Sequence, residues 1–89
     1  MAWKIEISAT AEKQLAKFDK QVTKKLYKYL TNRISNLDDP RSVGEPLTGS
    51  RLGNFWRYRT GNYRIICDIK DKQLTVLVIR FGHRSKIYK

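Results

Sequence analysis

The last third of the chain sets arginine among aromatic residues in three successive stretches: Phe55-Trp56-Arg57-Tyr58-Arg59, Tyr63-Arg64-Ile65-Ile66 and Gly82-His83-Arg84-Ser85-Lys86-Ile87-Tyr88. Residues 51–89 hold ten lysines and arginines against two acids, Asp68 and Asp71, and so carry +8 of the whole chain's +11. Arginine and aromatic residues alternate here in the manner of β-strands. A strand surface that cationic calls for a polyanionic partner.

The rest of the chain must position these residues, and its length limits how. Eighty-nine residues make one domain, 1–89, with room for a single modest core. With 40% hydrophobic and 30% charged residues the composition is that of a folded globular protein. Met1-Ala2-Trp3-Lys4-Ile5-Glu6-Ile7 alternates apolar and charged residues and contains no long apolar run. It reads as neither a signal peptide nor a membrane span, which leaves a cytoplasmic location as the default. The single cysteine, Cys67, lies among Ile65, Ile66 and Ile69 and reads as a buried, unreactive thiol. One cysteine and one histidine make no zinc site, and no metal or cofactor is expected.

The hydrophobic period changes along the chain. Trp3, Ile5 and Ile7 alternate with Lys4 and Glu6, which predicts a strand over residues 2–8. Ser8 or Thr10 can cap a short helix carrying Ala11, Leu15 and Phe18, and Asp19 can cap a second. That second helix carries Val22, Leu26, Tyr29, Leu30, Ile34 and Leu37 as one stripe, with Lys20, Lys24, Lys25 and Lys28 on the solvated side. Pro40, Gly44, Pro46, Gly49 and Gly53 mark residues 38–53 as a loop. Three strands follow, at about 54–59, 62–70 and 73–81, joined by connections short enough to force antiparallel hairpins. The order β-α-α-β-β-β predicts an α+β domain with two N-terminal helices packed on one face of an antiparallel sheet.

The other face is left for function, and alternation says what it carries. Phe55, Arg57 and Arg59 share one side of their strand; Trp56 and Tyr58 take the other and read as packing residues. Tyr63, Ile65, Cys67 and Ile69 form the apolar side of the next strand, which sends Arg64, Ile66 and Asp68 to the open face. Arg57 and Arg64 then project into one region. Asp68 is the carboxylate expected on these strands, so acid–base chemistry by a glutamate is not expected.

Leu47-Thr48-Gly49, Trp56-Arg57-Tyr58-Arg59, Gly61-Asn62-Tyr63-Arg64-Ile65-Ile66 and Gly82-His83-Arg84-Ser85-Lys86-Ile87-Tyr88, behind a β-α-α start, resemble the RelE branch of the RelE/ParE toxin superfamily over essentially the whole chain. The resemblance implies the toxic half of a bacterial type II toxin–antitoxin pair that cuts messenger RNA in the ribosomal A site. It also implies an acidic cognate antitoxin as partner, besides mRNA and the RNA of the ribosome. The reaction is attack of a ribose 2′-hydroxyl on the adjacent phosphate, which leaves a cyclic phosphate and a free 5′-hydroxyl. A tethered nucleophile needs no metal. It does need a base, an acid and a cationic clamp for the pentacoordinate phosphate.

By this resemblance Arg64 and Arg84 form the clamp, since arginine is permanently charged and bonds two phosphate oxygens at once. Tyr88 matches the family's C-terminal tyrosine. His83 is the one histidine, the side-chain type suited to proton transfer at neutral pH, and it shares that role with Tyr88, the base and the acid unassigned between them. Arg57, Arg59, Arg80 and Lys86 add RNA-binding charge. Two other readings stand beside this one: a ParE-like poison of DNA gyrase on the same fold, and a basic RNA-binding module without catalysis.

Overall fold

Ile5 and Ile7 alternate with Lys4 and Glu6 in strand β1 (Lys4–Ile7), which pairs with the first half of the chain's last long strand and packs Ile5 and Ile7, partly buried, against the core. The structure, a computed structural model, describes residues 3–47 and 55–83. Ser8 caps helix α1 (Ala9–Lys17): its hydroxyl accepts from the Ala11 amide at 3.1 Å, so Ser8, not Thr10, is the cap. Helix α2 (Lys20–Lys28) starts after Asp19, whose side chain makes no capping bond. The lysines Lys20, Lys24, Lys25 and Lys28 are exposed.

The apolar stripe predicts one helix running on to Leu37, but α2 gives way to a π-helical turn over Tyr29–Ile34, in which the Ser35 amide donates to the Leu30 carbonyl at 2.9 Å. The hydroxyl of Thr31 donates to the Tyr27 carbonyl (2.9 Å), the acceptor an α-helix reserves for the Thr31 amide. The wider turn keeps both Leu30 and Ile34 fully buried. Ser35 then bonds the Trp3 carbonyl (2.6 Å), which ties the end of the helical arm to the start of β1.

Residues 38–47 are more ordered than a breaker-rich loop suggests. A 3₁₀ turn over Pro40–Ser42 is followed by a two-residue strand, β2 (Glu45–Pro46), paired antiparallel with β3 (Phe55–Thr60). Strands β4 (Tyr63–Lys70) and β5 (Thr75–His83) complete a five-stranded sheet in the order β1-β5-β4-β3-β2. The sheet is mixed, not wholly antiparallel: β1 runs parallel to β5. Two helices and the hairpin strands intervene between them, so β1 arrives at the sheet edge by a long crossover, the connection a parallel pair needs.

Both helices pack on one face. Leu15, Leu26, Leu30 and Ile34 meet Tyr58, Ile65, Cys67, Ile69, Val76, Val78 and Phe81 in one core. Each buried aliphatic side chain there contributes about 1.5–3 kcal/mol of transfer free energy. Tyr58 is fully buried with its hydroxyl donating to the Pro40 carbonyl at 2.6 Å, and Trp56 Nε1 donates to the Val43 carbonyl at 2.7 Å. These two bonds hold the 40–46 segment against β3. Burial pushes the Cys67 thiol far above its ordinary pKa, in keeping with an inert core cysteine.

One irregularity decides which way the end of β5 faces. Cys67 pairs with Val78 but Ile66 pairs with Arg80, so Ile79 is an extra residue in β5, a β-bulge. Before it, Val76 and Val78 face the core; after it, Phe81 does, and Arg80 is exposed.

Candidate active site

Directly opposed residues in a sheet share a face, so the pairing register gives the composition of the face without helices. Arg57, Ile66 and Arg80 form one row across β3, β4 and β5, with Glu45 of β2 at its outer end. Arg59, Arg64 and Gly82 form the next row. Phe55, Asp68 and Leu77 occupy the same face nearer its other end, where β1 adds Glu6. Four arginines therefore stand in two adjacent rows at the end of the sheet from which β5 leads on towards residues 84–89. Gly82 contributes no side chain opposite Arg64.

The arginine rows contain one carboxylate that alternation within β3 and β4 does not reveal. Glu45 Oε1 accepts from Arg57 and from Arg59, each at 2.7 Å. The Arg57 side chain is only 14% exposed and Arg59 54%, so Glu45 joins a guanidinium in the floor of the face to one at its surface. The hydrogen bond from Arg57, with the charges of Arg57 and Arg59, holds the Glu45 carboxyl below the usual carboxylate range. The expectation that Asp68 alone supplies a carboxylate here is thus corrected. In the sequence, the breakers around Glu45 hide a strand two residues long.

Gly44 makes that strand possible. Its φ is +80°, and a Cβ there would stand 2.5 Å from the Arg57 carbonyl oxygen, 2.8 Å from Trp56 Nε1 and 2.9 Å from Tyr58 Cδ1. Only glycine permits such an approach in that conformation.

The structure brings together Arg57, Arg59, Arg64 and Arg80 of the expected residues, and it sets His83 apart from them. His83 is the last residue of β5, paired with Tyr63 on the face that carries the helices. The two rings lie 5.2 Å apart at 86°, and Tyr63 in turn lies 5.4 Å from Phe18 of the α1–α2 corner. The bulge at Ile79 is the cause, since it shifts the alternation of β5 by one residue. Arg84, Lys86 and Tyr88 lie outside the described residues. No group of three or more His, Cys, Asp or Glu residues placed to hold a metal ion occurs among the described residues, and no helix among them is long and apolar enough to cross a membrane.

Comparison with known proteins agrees with this arrangement of strands and helices. Residues 5–88 match the family described as the ParE toxin of the type II toxin–antitoxin system parDE. The chain is 29% identical to toxin RelG of Mycobacterium tuberculosis, over 100% of its own length and 99% of that toxin's. The toxin–antitoxin complex RelBE2 from the same organism contains a chain of similar fold, with a TM-score of 0.85 at 26% identity over 97% of this chain and 95% of that one. The isolated RelE toxin of E. coli shares the fold at 22% identity, with a TM-score of 0.71 over 98% of this chain and 92% of that one. A match that runs from residue 5 to residue 88, on the fold of RelE toxins, makes this chain a toxin of the RelE/ParE superfamily of type II toxin–antitoxin systems.

Proposed function

We propose that this toxin is an endoribonuclease that cleaves messenger RNA in the ribosomal A site, in the cytoplasm, and so arrests translation. The observation that carries this reading is the double row of Arg57, Arg59, Arg64 and Arg80 on the open face of the sheet. The 2′-oxygen attacks the adjacent phosphorus as the P–O5′ bond breaks, which gives a 2′,3′-cyclic phosphate and a 5′-hydroxyl. Arg64 with Arg84 stabilises the charge that builds on the phosphate oxygens, and Arg57, Arg59, Arg80 and Lys86 hold the flanking backbone.

Phosphate would compete with Glu45 for Arg57 and Arg59. As the arginines turn to phosphate, the Glu45 carboxylate is released on the arginine face, available there to accept the 2′-hydroxyl proton. Proton donation to the leaving O5′ falls to His83 or Tyr88, and His83 has to leave Tyr63 to reach the arginine face. An acidic antitoxin is the fitting regulator of a chain of charge +11. The solved RelE relatives include complexes with their antitoxins.

The match to the ParE toxin family keeps the ParE-like alternative, a poison of DNA gyrase, as the second reading. Induced expression with mapping of transcript 5′ ends separates the two. Cuts confined to translated frames, with chromosomal DNA intact, support the nuclease; DNA breaks with uncut transcripts support the gyrase poison.

A further inference from the structure

We propose that Gln14 of α1 is a positioning residue: it holds β5 in register beyond the bulge and thereby keeps Arg80 on the arginine face. The inference rests on the cleavage reading above. β1 accompanies β5 only as far as the pair Ile7 and Val78. Past that point no strand among the described residues flanks β5 on that side, and α1 takes over. The Ser8 amide donates to the Val78 carbonyl at 2.9 Å, and the Ser8 hydroxyl donates to the Ile79 carbonyl at 2.8 Å. Gln14 Nε2 then donates to the Phe81 carbonyl at 2.8 Å, while the Phe81 amide donates to Gln14 Oε1 at 2.7 Å. One primary amide thus makes the pair of bonds that a residue of an antiparallel neighbour would make.

These bonds sit where an error in register would matter most. Ile79 is the extra residue of the bulge, and a bulge leaves the ladder locally disrupted. Plain alternation from Val76 and Val78 would put Arg80 in the core and Phe81 on the open face; the bulge reverses both. A slip of one residue would therefore bury a guanidinium and expose a phenyl ring. On the β4 side the register is fixed by the pairs Ile66 with Arg80 and Ile65 with Phe81. On the other side it is fixed by Ser8 and Gln14, in place of the strand that β1 does not supply. Gln14 belongs to the helix on the opposite side of the sheet from the arginines, so it acts through Arg80.

The experiment compares Gln14→Met, which keeps the length and loses both bonds, with Gln14→Glu. An ionised Glu accepts from the Phe81 amide but cannot donate to the Phe81 carbonyl, whereas a protonated Glu does both. In Gln14→Met the Phe81 amide should exchange with solvent roughly tenfold faster or more, from the loss of its hydrogen-bond partner. Cleavage of ribosome-bound message should lose about tenfold in kcat/KM, mostly through a raised KM with kcat little changed, as displacement of a charge that holds the flanking backbone predicts. Arg80→Ala should then add little to Gln14→Met in a double-mutant cycle. Gln14→Glu should recover towards wild type as pH falls through its carboxyl pKa, and Gln14→Met should not. Unchanged exchange at Phe81, fully additive losses, or a Glu variant without acid recovery would each overturn the proposal. If the wild type cuts no RNA, the cleavage reading fails by itself. The role of Gln14 is then judged on exchange and on single-stranded RNA binding, whose salt slope should drop by about 0.7 in Gln14→Met as one phosphate contact is lost; an unchanged slope overturns it.

Discussion

Gly44→Ala should be among the most damaging small substitutions in this protein, and the structure says by how much. At φ +80° an alanine pays a left-handed backbone penalty of about 1–2 kcal/mol before any contact is considered. Its Cβ would also stand 2.5 Å from the carbonyl oxygen of Arg57, which belongs to the sheet and cannot rotate away. Relief requires β2 to draw back from β3. That movement stretches the 2.7 Å bond from Trp56 Nε1 to the Val43 carbonyl, a loss of about 1 kcal/mol, and strains the packing of Tyr58 by a similar amount. The sum is about 3–4 kcal/mol, a large share of the roughly 5–15 kcal/mol that holds a domain folded. Gly61→Ala is the control. Gly61 has a comparable φ of +58° at the β3–β4 turn, but nothing lies within 4 Å of its would-be Cβ. It should cost only the backbone penalty. Urea unfolding of both variants measures the difference directly as a change in midpoint at constant slope. Equal losses in the two would show that close approach at Gly44 does not hold β2 in place, and with it the account of how Glu45 reaches the arginines would fall.

Arg64→Ala should lower cleavage of ribosome-bound message by roughly a hundred- to thousandfold, the about 3–4 kcal/mol of one preorganised charge donor, with the unfolding midpoint unchanged; wild-type toxicity at equal soluble protein would remove Arg64 from the clamp. Glu45→Gln should slow cleavage and leave RNA affinity equal or higher, since it removes the anion that competes with phosphate at Arg57 and Arg59; weaker binding with an unchanged rate would make Glu45 structural only. His83→Gln should reduce the rate by more than it reduces ribosome binding if the imidazole leaves Tyr63 to transfer a proton, and an unchanged rate assigns proton donation to Tyr88, for which Tyr88→Phe is the complementary test. Acid stability has a defined contributor in Asp71, which two hydrogen bonds from Arg41, at 2.7 and 2.9 Å, hold below the usual carboxylate range. A carboxylate whose pKa is depressed on folding stabilises the native state above its unfolded pKa and loses that contribution as pH falls through the folded one. Asp71→Asn should therefore flatten stability against pH on the acid side of that range while changing little below it, as followed by thermal unfolding from neutral to acid pH.

Much of the fold is legible because local pattern and burial agree in it. The period-two run Lys4–Ile7, the helical stripes through Leu15 and Leu26, and the alternation of Ile65, Cys67 and Ile69 each match the residues that the structure buries or packs partly buried against the core. The placement of Arg57, Arg59 and Arg64 on the face without helices follows from the same rule. The π-helical turn at Tyr29–Ile34 does not, because its apolar stripe looks helical whether each amide reaches back four residues or five. Nor does the direction of β1. A strand's own sequence says which face it buries, and its parallel pairing with β5 depends on how the chain returns.

The arginine face is harder to read than the core because two of its determinants are not local. Glu45 enters it only through pairing with Arg57, and a strand of two residues between Gly44 and Leu47 has no period to detect. Arg80 enters it only through the bulge. Counting by twos from Val76 and Val78 buries Arg80 and leaves His83 facing the arginines; the extra residue at Ile79 exchanges the two. The burial of Phe81 carries the missing signal, since an arginine at 80 and a phenylalanine at 81 are chemically sensible only if the phase changes between Val78 and Phe81. A phase change inside a strand needs an anchor on each side. β4 provides one, and the hydroxyl of Ser8 with the amide of Gln14 provides the other. The helix that covers the core thus also sets which cations the opposite face presents, so substitutions in α1 should alter RNA chemistry on a surface that α1 never touches.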